Sequence, residues 1–207
     1  MLKWLRSLGS SHDPADRALR AFSLLSDPDE IENVWDAMDQ TPDAIWDRVQ
    51  AVCSDPETNA LTRKSGLIWM GYTTSNRGEP LPPHVQTQLV DLVVWALGHE
   101  ANNVLIGGAL ACLDALDAVE KEATAIEAFR RLGDASARRY WLTLKVRTVP
   151  MLTLVAESLR EFEPEELAKL TGAFRQFGPE DRPALEAIMQ GHTHPLLTLA
   201  WTSTDRK

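Results

Sequence analysis

Residues Ala128–Leu142, AFRRLGDASARRYWL, close one amphipathic helix and open another within a few positions. The same ending is written twice more, as AFSLLSDPDE at 21–30 and AFRQFGPEDR at 173–182. VQAVCSD at 49–55 and VVWALGH at 93–99 share its form, and successive endings begin 28 to 45 residues apart. Each is followed by a second helical pattern, over 28–39, 56–72, 100–118, 135–148 and 180–190. A helix–turn–helix unit recurring at this period is the signature of an α-solenoid. One pair cannot bury its own apolar face, so neighbouring pairs stack into a shared core. The expected class is therefore all-α, an α-α superhelix of about five irregular pairs.

Local patterning agrees. Apolar residues recur with the period of a helix, as in Ile31, Val34, Trp35 and Met38, or Ile45, Trp46, Val49, Val52 and Cys53. Alternating strand-like runs are nearly absent. Ser26-Asp27-Pro28, Thr41-Pro42-Asp43 and Ser54-Asp55-Pro56 each offer an N-cap oxygen with proline in the first turn. Gly98, Gly133 and Gly178 stand where helices should stop, in positions suited to positive φ.

RLGDASARRYWLTL and LLSDPDEIENVWDAM resemble HEAT-type repeats, with a leucine, a small residue and an aspartate before the second helix. The resemblance covers about residues 13–190. It implies that the turn aspartate braces the stack and that a base follows a few positions later. Asp134 with Arg138 fits. Asp27 and Asp55 supply only the acid, and His99 and Pro179 replace it. The resemblance implies one repeat domain over 13–190. Met1, Trp4, Leu5 and Leu8 fall on one side of a short amphipathic helix, which reads as a cap over the first pair at 1–12, with a surface membrane anchor as the alternative. A C-terminal cap and tail occupy 191–207, where PLLTLAW (195–201) would cover the last repeat. It implies little about function, because the architecture hosts binders, inhibitors, lyases and DNA-repair enzymes.

Two places break the rhythm. YTTSNRGEPLPP (72–83) reads as the longest polar connection, with Asn76-Arg77-Gly78 suited to a tight turn. Insertions in solenoids often lie on the working face, although a longer inter-repeat link is the plainer explanation. Residues 149–162 read as an unpaired helix beginning at Pro150, either a spacer or the edge of a second subgroup.

Composition excludes several classes. The chain has 207 residues, 44% apolar and 25% charged, which suits a folded soluble protein rather than a disordered one. Two cysteines, Cys53 and Cys112, lie among apolar neighbours, so neither a disulfide framework nor a Cys/His metal cluster is indicated. No apolar run is long enough to span a bilayer, and MLKWLRSLGSSHD has no signal-like core. These features suggest a cytoplasmic protein without a membrane partner.

Charge is uneven. Residues 27–57 hold ten acids and one base, Arg48, a surplus equal to the whole net charge of −9. Asp27, Asp29, Glu30, Asp43, Asp55 and Glu57 lie near helix starts, where each complements the macrodipole by about 0.3–1 kcal/mol. Glu32, Asp36, Asp39 and Asp47 lie further in. A twelve-residue helix is about 18 Å long and the Debye length is about 8 Å, so these carboxylates repel one another. A cationic partner would relieve that repulsion, whereas a merely solvated face would not need one. Farther along, Arg130 to Arg147 gather six bases and one acid around Tyr140 and Trp141. Bases interleaved with aromatics can grip phosphate and stack on nucleobases, or serve as a packed helix with a solvated arginine face.

No catalytic motif is present: no phosphate loop, no G-x-S-x-G, no H-E-x-x-H. The pair in GHTHP (191–195) lacks a third metal ligand and reads as the loop before the final helix. Asp114, after the apolar run VLIGGALACL, would be a candidate base if buried and an ordinary surface acid if not. Gly107 and Ala111 on that run leave room for close helix approach. The seven tryptophans mostly sit on apolar stripes, but Trp35 and Trp46 flank the acidic cluster and would anchor an Arg- or Lys-rich partner if exposed.

The expectation is a non-enzymatic binding module that uses no cofactor and no metal. Glu32, Trp35, Asp36, Asp39, Asp43, Trp46 and Asp47 would meet a basic protein, with an immunity or antitoxin protein masking a cationic toxin as the narrowest form. The alternative resembles HEAT-like DNA glycosylases and would place Arg138, Arg139 and Lys145 on phosphates. The overall acidity weighs against nucleic acid, because affinity for it comes largely from neutralising phosphate.

Overall fold

Proline and short polar caps decide where the helices begin. In the computed structural model, which describes residues 12–99, 101–132 and 139–205, Asp13 accepts the Ala15 N–H at 2.9 Å and opens α1 (Pro14–Ser23). Asp27 accepts the Asp29 N–H at 3.0 Å and starts a 3₁₀ turn that leads into α2 (Ile31–Asp39). α3 (Pro42–Ser54) begins on its proline, while Asn59 caps α4 (Ala60–Asn76) through the Thr62 N–H at 2.8 Å. α5 (Pro83–Gln86), α6 (Leu89–Leu97) and α7 (Asn103–Asp114) follow. Then come α8 (Ala118–Arg131), α9 (Arg139–Lys145), α10 (Val149–Ser158), α11 (Pro164–Phe174), α12 (Arg182–Met189) and α13 (Pro195–Ser203). All regular structure among the described residues is helical, as the periodicity predicts.

The stops differ from the glycine rule. Gly98 sits at φ −66° and Gly178 at φ −109°, so neither uses the left-handed region. Among the described residues only Gly78, at φ 70°, has a positive φ. Gly133, Asp134, Arg138 and the cap expected at 1–12 lie outside the described residues, apart from His12. The aspartates that precede second helices act locally: Asp55, like Asp27, bonds the N–H two residues on, Glu57 at 2.9 Å. α4 also departs from the expected 56–72: it begins at Ala60 under the Asn59 cap rather than at Pro56, and it runs past 72 to Asn76. Thr73 and Thr74 are buried on it, and the Thr74 hydroxyl donates back to the Gly71 carbonyl at 3.1 Å. The polar connection therefore shrinks to 77–82.

The chain divides into two compact units, 1–116 and 117–207. In the first, α1 packs on α2, α3 on α4 and α6 on α7. α4 is the central helix, touched by α1, α3, α5, α6 and α7, and it buries Ser65, Ile68, Trp69 and Met70 around its circumference. Gly66 makes this possible: a Cβ there would stand 2.4 Å from Cys53 Sγ and 2.5 Å from Phe22 Cζ. α2 also reaches α7, where the Trp35 ring lies over Gly108. The glycine needed for close approach is thus Gly108 rather than Gly107, which is exposed. Asn59 and Thr62 both donate to the Leu25 carbonyl, at 3.0 and 3.1 Å, and tie the start of α4 to the end of α1.

In the second unit α10 packs on α8, α9 and α12. The helix that the sequence left unpaired is therefore part of this core. α11 lies against α9 and α13, and α12 against α13. Phe129, Leu152, Phe174, Leu185 and Leu197 fill the interior. The terminal apolar run forms α13 and covers α11 and α12.

Candidate functional site

The apolar stripes of α2 and α3 dictate where their acids go. Ile31, Val34, Trp35 and Met38 turn inward on α2, leaving Glu32, Asp36 and Asp39 exposed. Ile45, Val49, Val52 and Cys53 turn inward on α3, leaving Asp43 and Asp47 exposed. The five carboxylates are therefore surface groups, as their spacing implies.

Two of them border an open cleft of about 370 Å³, lined by Asp43, Trp46 and Asp47 of α3, Thr74 of α4, and Arg77 and Glu79 of the following loop. Gly78 builds the far wall. Its positive φ turns the chain so that the Glu79 N–H donates to the Thr74 carbonyl at 3.0 Å, which brings Glu79 back to the cleft. Arg77 Nη1 bonds Asp43 Oδ1 at 2.9 Å, with the two side chains 40% and 86% exposed. The carboxylates of Asp47 and Glu79 have no hydrogen-bond or ion-pair partner among the described residues. Three carboxylates thus face one guanidinium.

Trp46 supplies the aromatic wall. It is half-buried, and its ring packs tilted against Trp69 with centroids 6.0 Å apart. Trp69 is fully buried and its Nε1–H donates to Asp39 Oδ1 at 2.7 Å. Asp39 therefore belongs partly to the fold, while Trp46 keeps a side toward the cleft. An aromatic face beside unpartnered carboxylates suits a cation, because ring quadrupole and carboxylate attract positive charge together.

Trp35 is a correction. It is buried, at 4% exposure, its Nε1–H donates to Ser65 Oγ at 3.0 Å, and its ring stacks on Tyr72 at 6.2 Å. Its apolar face packs the junction of α2, α4 and α7, so it is no surface anchor. Glu32 and Asp36 are exposed on α2 but do not line the cleft.

The basic stretch reads differently in three dimensions. Arg139 is buried at 8% exposure, with its guanidinium over Phe129 at 4.7 Å and Phe162 at 5.7 Å. That position corrects its assignment to phosphate, because the guanidinium is buried against two aromatic rings rather than displayed on a surface. Arg147 pairs with Asp181 at 2.8 Å, donates to the Gln176 carbonyl and covers Phe177. Lys145 is half-buried at the end of α9, and Arg138 lies outside the described residues.

Other candidates resolve into structure. Asp114 is exposed in the last turn of α7. His194 caps α13 by accepting the Leu196 N–H at 3.2 Å. Among the described residues no three His, Cys, Asp or Glu side chains form a metal-sized group, and no helix is long and apolar enough to cross a membrane. Burial pushes the Cys53 and Cys112 thiols up to about 12, so neither is a thiolate near neutrality.

Sequence reasoning missed Thr74, Arg77 and Glu79 as site residues. The signal was the polar 72–83 segment, whose contact with α3 no periodicity reveals. Searches against protein-family models, curated proteins and solved structures match nothing to this chain.

Proposed function

We propose that this chain is a non-enzymatic protein-binding module whose acidic cleft, with the exposed acids of α2 beside it, docks a basic protein. The observation that carries this reading is the pairing of Trp46 with the unpartnered Asp47 and Glu79 carboxylates around an open cleft. Like charges held close at a surface cost stability, and a cationic partner relieves that cost while gaining a fast, salt-sensitive association. The order of helix pairs, α1/α2, α3/α4 and α6/α7, supports a helical-repeat scaffold for the first unit. Masking of a cationic toxin is the narrowest form of this proposal, because such a surface and an acidic wall are complementary in charge. Binding to the alternative partner, nucleic acid, gains no support from Arg139, which is spent inside the second unit.

The test is a stopped-flow measurement of association with a labelled peptide rich in arginine and lysine, at low and moderate salt. Asp43→Lys with Asp47→Lys should slow association by about tenfold or more while leaving helicity unchanged. Association equal to wild type at low salt would remove the electrostatic argument.

A further inference from the structure

The cleft already holds a guanidinium of its own. Arg77 sits on Asp43 at 2.9 Å, yet it leaves Asp47, Glu79 and the open side of Trp46 unfilled. We propose that the cleft takes an arginine side chain of the partner, and that Arg77 is the group this arginine displaces from Asp43. The proposal rests on the protein-binding reading above.

Two observations favour arginine over lysine. The carboxylate at Asp43 accepts a guanidinium from Arg77, so its geometry suits that donor. A planar guanidinium presents several N–H groups in a fork and stacks on an indole face, whereas an ammonium is a compact and strongly hydrated charge. Trp46 offers that face, and its packing on Trp69 limits the rotamers it can adopt. Volume is also sufficient: about 370 Å³ accommodates one long side chain with room beside Arg77.

Displacement of Arg77 is cheap. Its pair with Asp43 is largely exposed, and such pairs shift an equilibrium by no more than a few-fold. Released, the Arg77 side chain swings from a position already 40% exposed into water. The residue thus acts as an internal competitor. It neutralises Asp43 when the cleft is empty and sets a threshold against weakly cationic ligands.

The experiment compares labelled oligo-arginine and oligo-lysine peptides of equal length by fluorescence anisotropy. The expected result is about tenfold tighter binding of oligo-arginine, a preference lost in Trp46→Ala. Trp46→Leu keeps apolar bulk against Trp69 and should lose the preference equally, which separates the lost ring from a damaged fold. Arg77→Ala should tighten oligo-arginine binding a few-fold. Equal affinity for the two peptides, or weaker binding by Arg77→Ala, overturns the proposal while leaving the basic-partner reading intact. Binding of neither peptide at low salt overturns both.

Discussion

The buried indole of Trp69 donates its N–H to the exposed-side carboxylate of Asp39 at 2.7 Å, so one acid of the electronegative face is also a structural bond. Asp39→Ala leaves that donor unpaired and should cost about 1–3 kcal/mol in a urea unfolding titration. Asp39→Asn retains an acceptor and should cost less. Asp36→Lys, at an exposed position without this bond, should change stability by less than about 0.5 kcal/mol. Equal losses for Asp39→Ala and Asp36→Lys would show that the indole bond contributes nothing.

Opposite outcomes are expected for two glycine-to-alanine changes, one on α4 and one on α7. Gly66→Ala drives a methyl into Cys53 Sγ and Phe22, and should lower stability by about 1–3 kcal/mol. Gly107→Ala meets nothing within 4 Å on an exposed face of α7 and should raise it by about 0.8 kcal/mol, because alanine is the better helix former. Thermal melts of both variants check the pair, and a stabilising Gly66→Ala contradicts the close approach of α1, α3 and α4.

His194 makes the second unit sensitive to acid. Desolvation lowers its pKa below the usual 6.5, and its Nδ1 must stay unprotonated to accept the Leu196 N–H. Because the folded value is lower than the unfolded one, the contribution is complete above about pH 6.5 and is lost as pH falls through the folded value. His194→Asn keeps a cap oxygen without a titrating ring. Its stability relative to wild type, followed by chemical denaturation from pH 7 to 5, should therefore rise as the solution becomes more acid. A constant difference across that range counts against the cap.

Arg147 and Asp181 form a partly buried ion pair in the second unit, with side chains 21% and 9% exposed. Asp181 Oδ2 also accepts the Gly178 N–H at 2.9 Å, which orders the turn before α12. Arg147→Ala strands this carboxylate and removes the cover over Phe177, and should cost about 3 kcal/mol. Arg147→Met places apolar bulk against the ring without the charge, and the difference between the two variants measures the packing share. No measurable loss for Arg147→Ala would mean that Asp181 is satisfied by solvent.

Much of the fold was legible one helix at a time. The stripe Ile31, Val34, Trp35, Met38 and the starts at Pro28 and Pro42 are local features, governed by residues within a turn or two of one another, whereas the start expected at Pro56 falls at Ala60. Stops were less legible. A helix ends when its last carbonyls find partners and its side chains lose a core to pack on, and for α4 that core extends to Thr74. The exposure of Glu32, Asp36, Asp43 and Asp47 followed from the stripes opposite them.

Sequence by itself determined the helical class, the positions of most helices and the side of α2 and α3 on which the acids stand, because these depend on spacing along a single helix. Tertiary structure alone decided that Trp35 is buried and Trp46 open, that Arg139 lies among phenylalanines, and that Arg77 and Glu79 close a cleft with Asp43. Those outcomes depend on which helix faces which. Contacts between residues on different helices leave no period in the chain to be read.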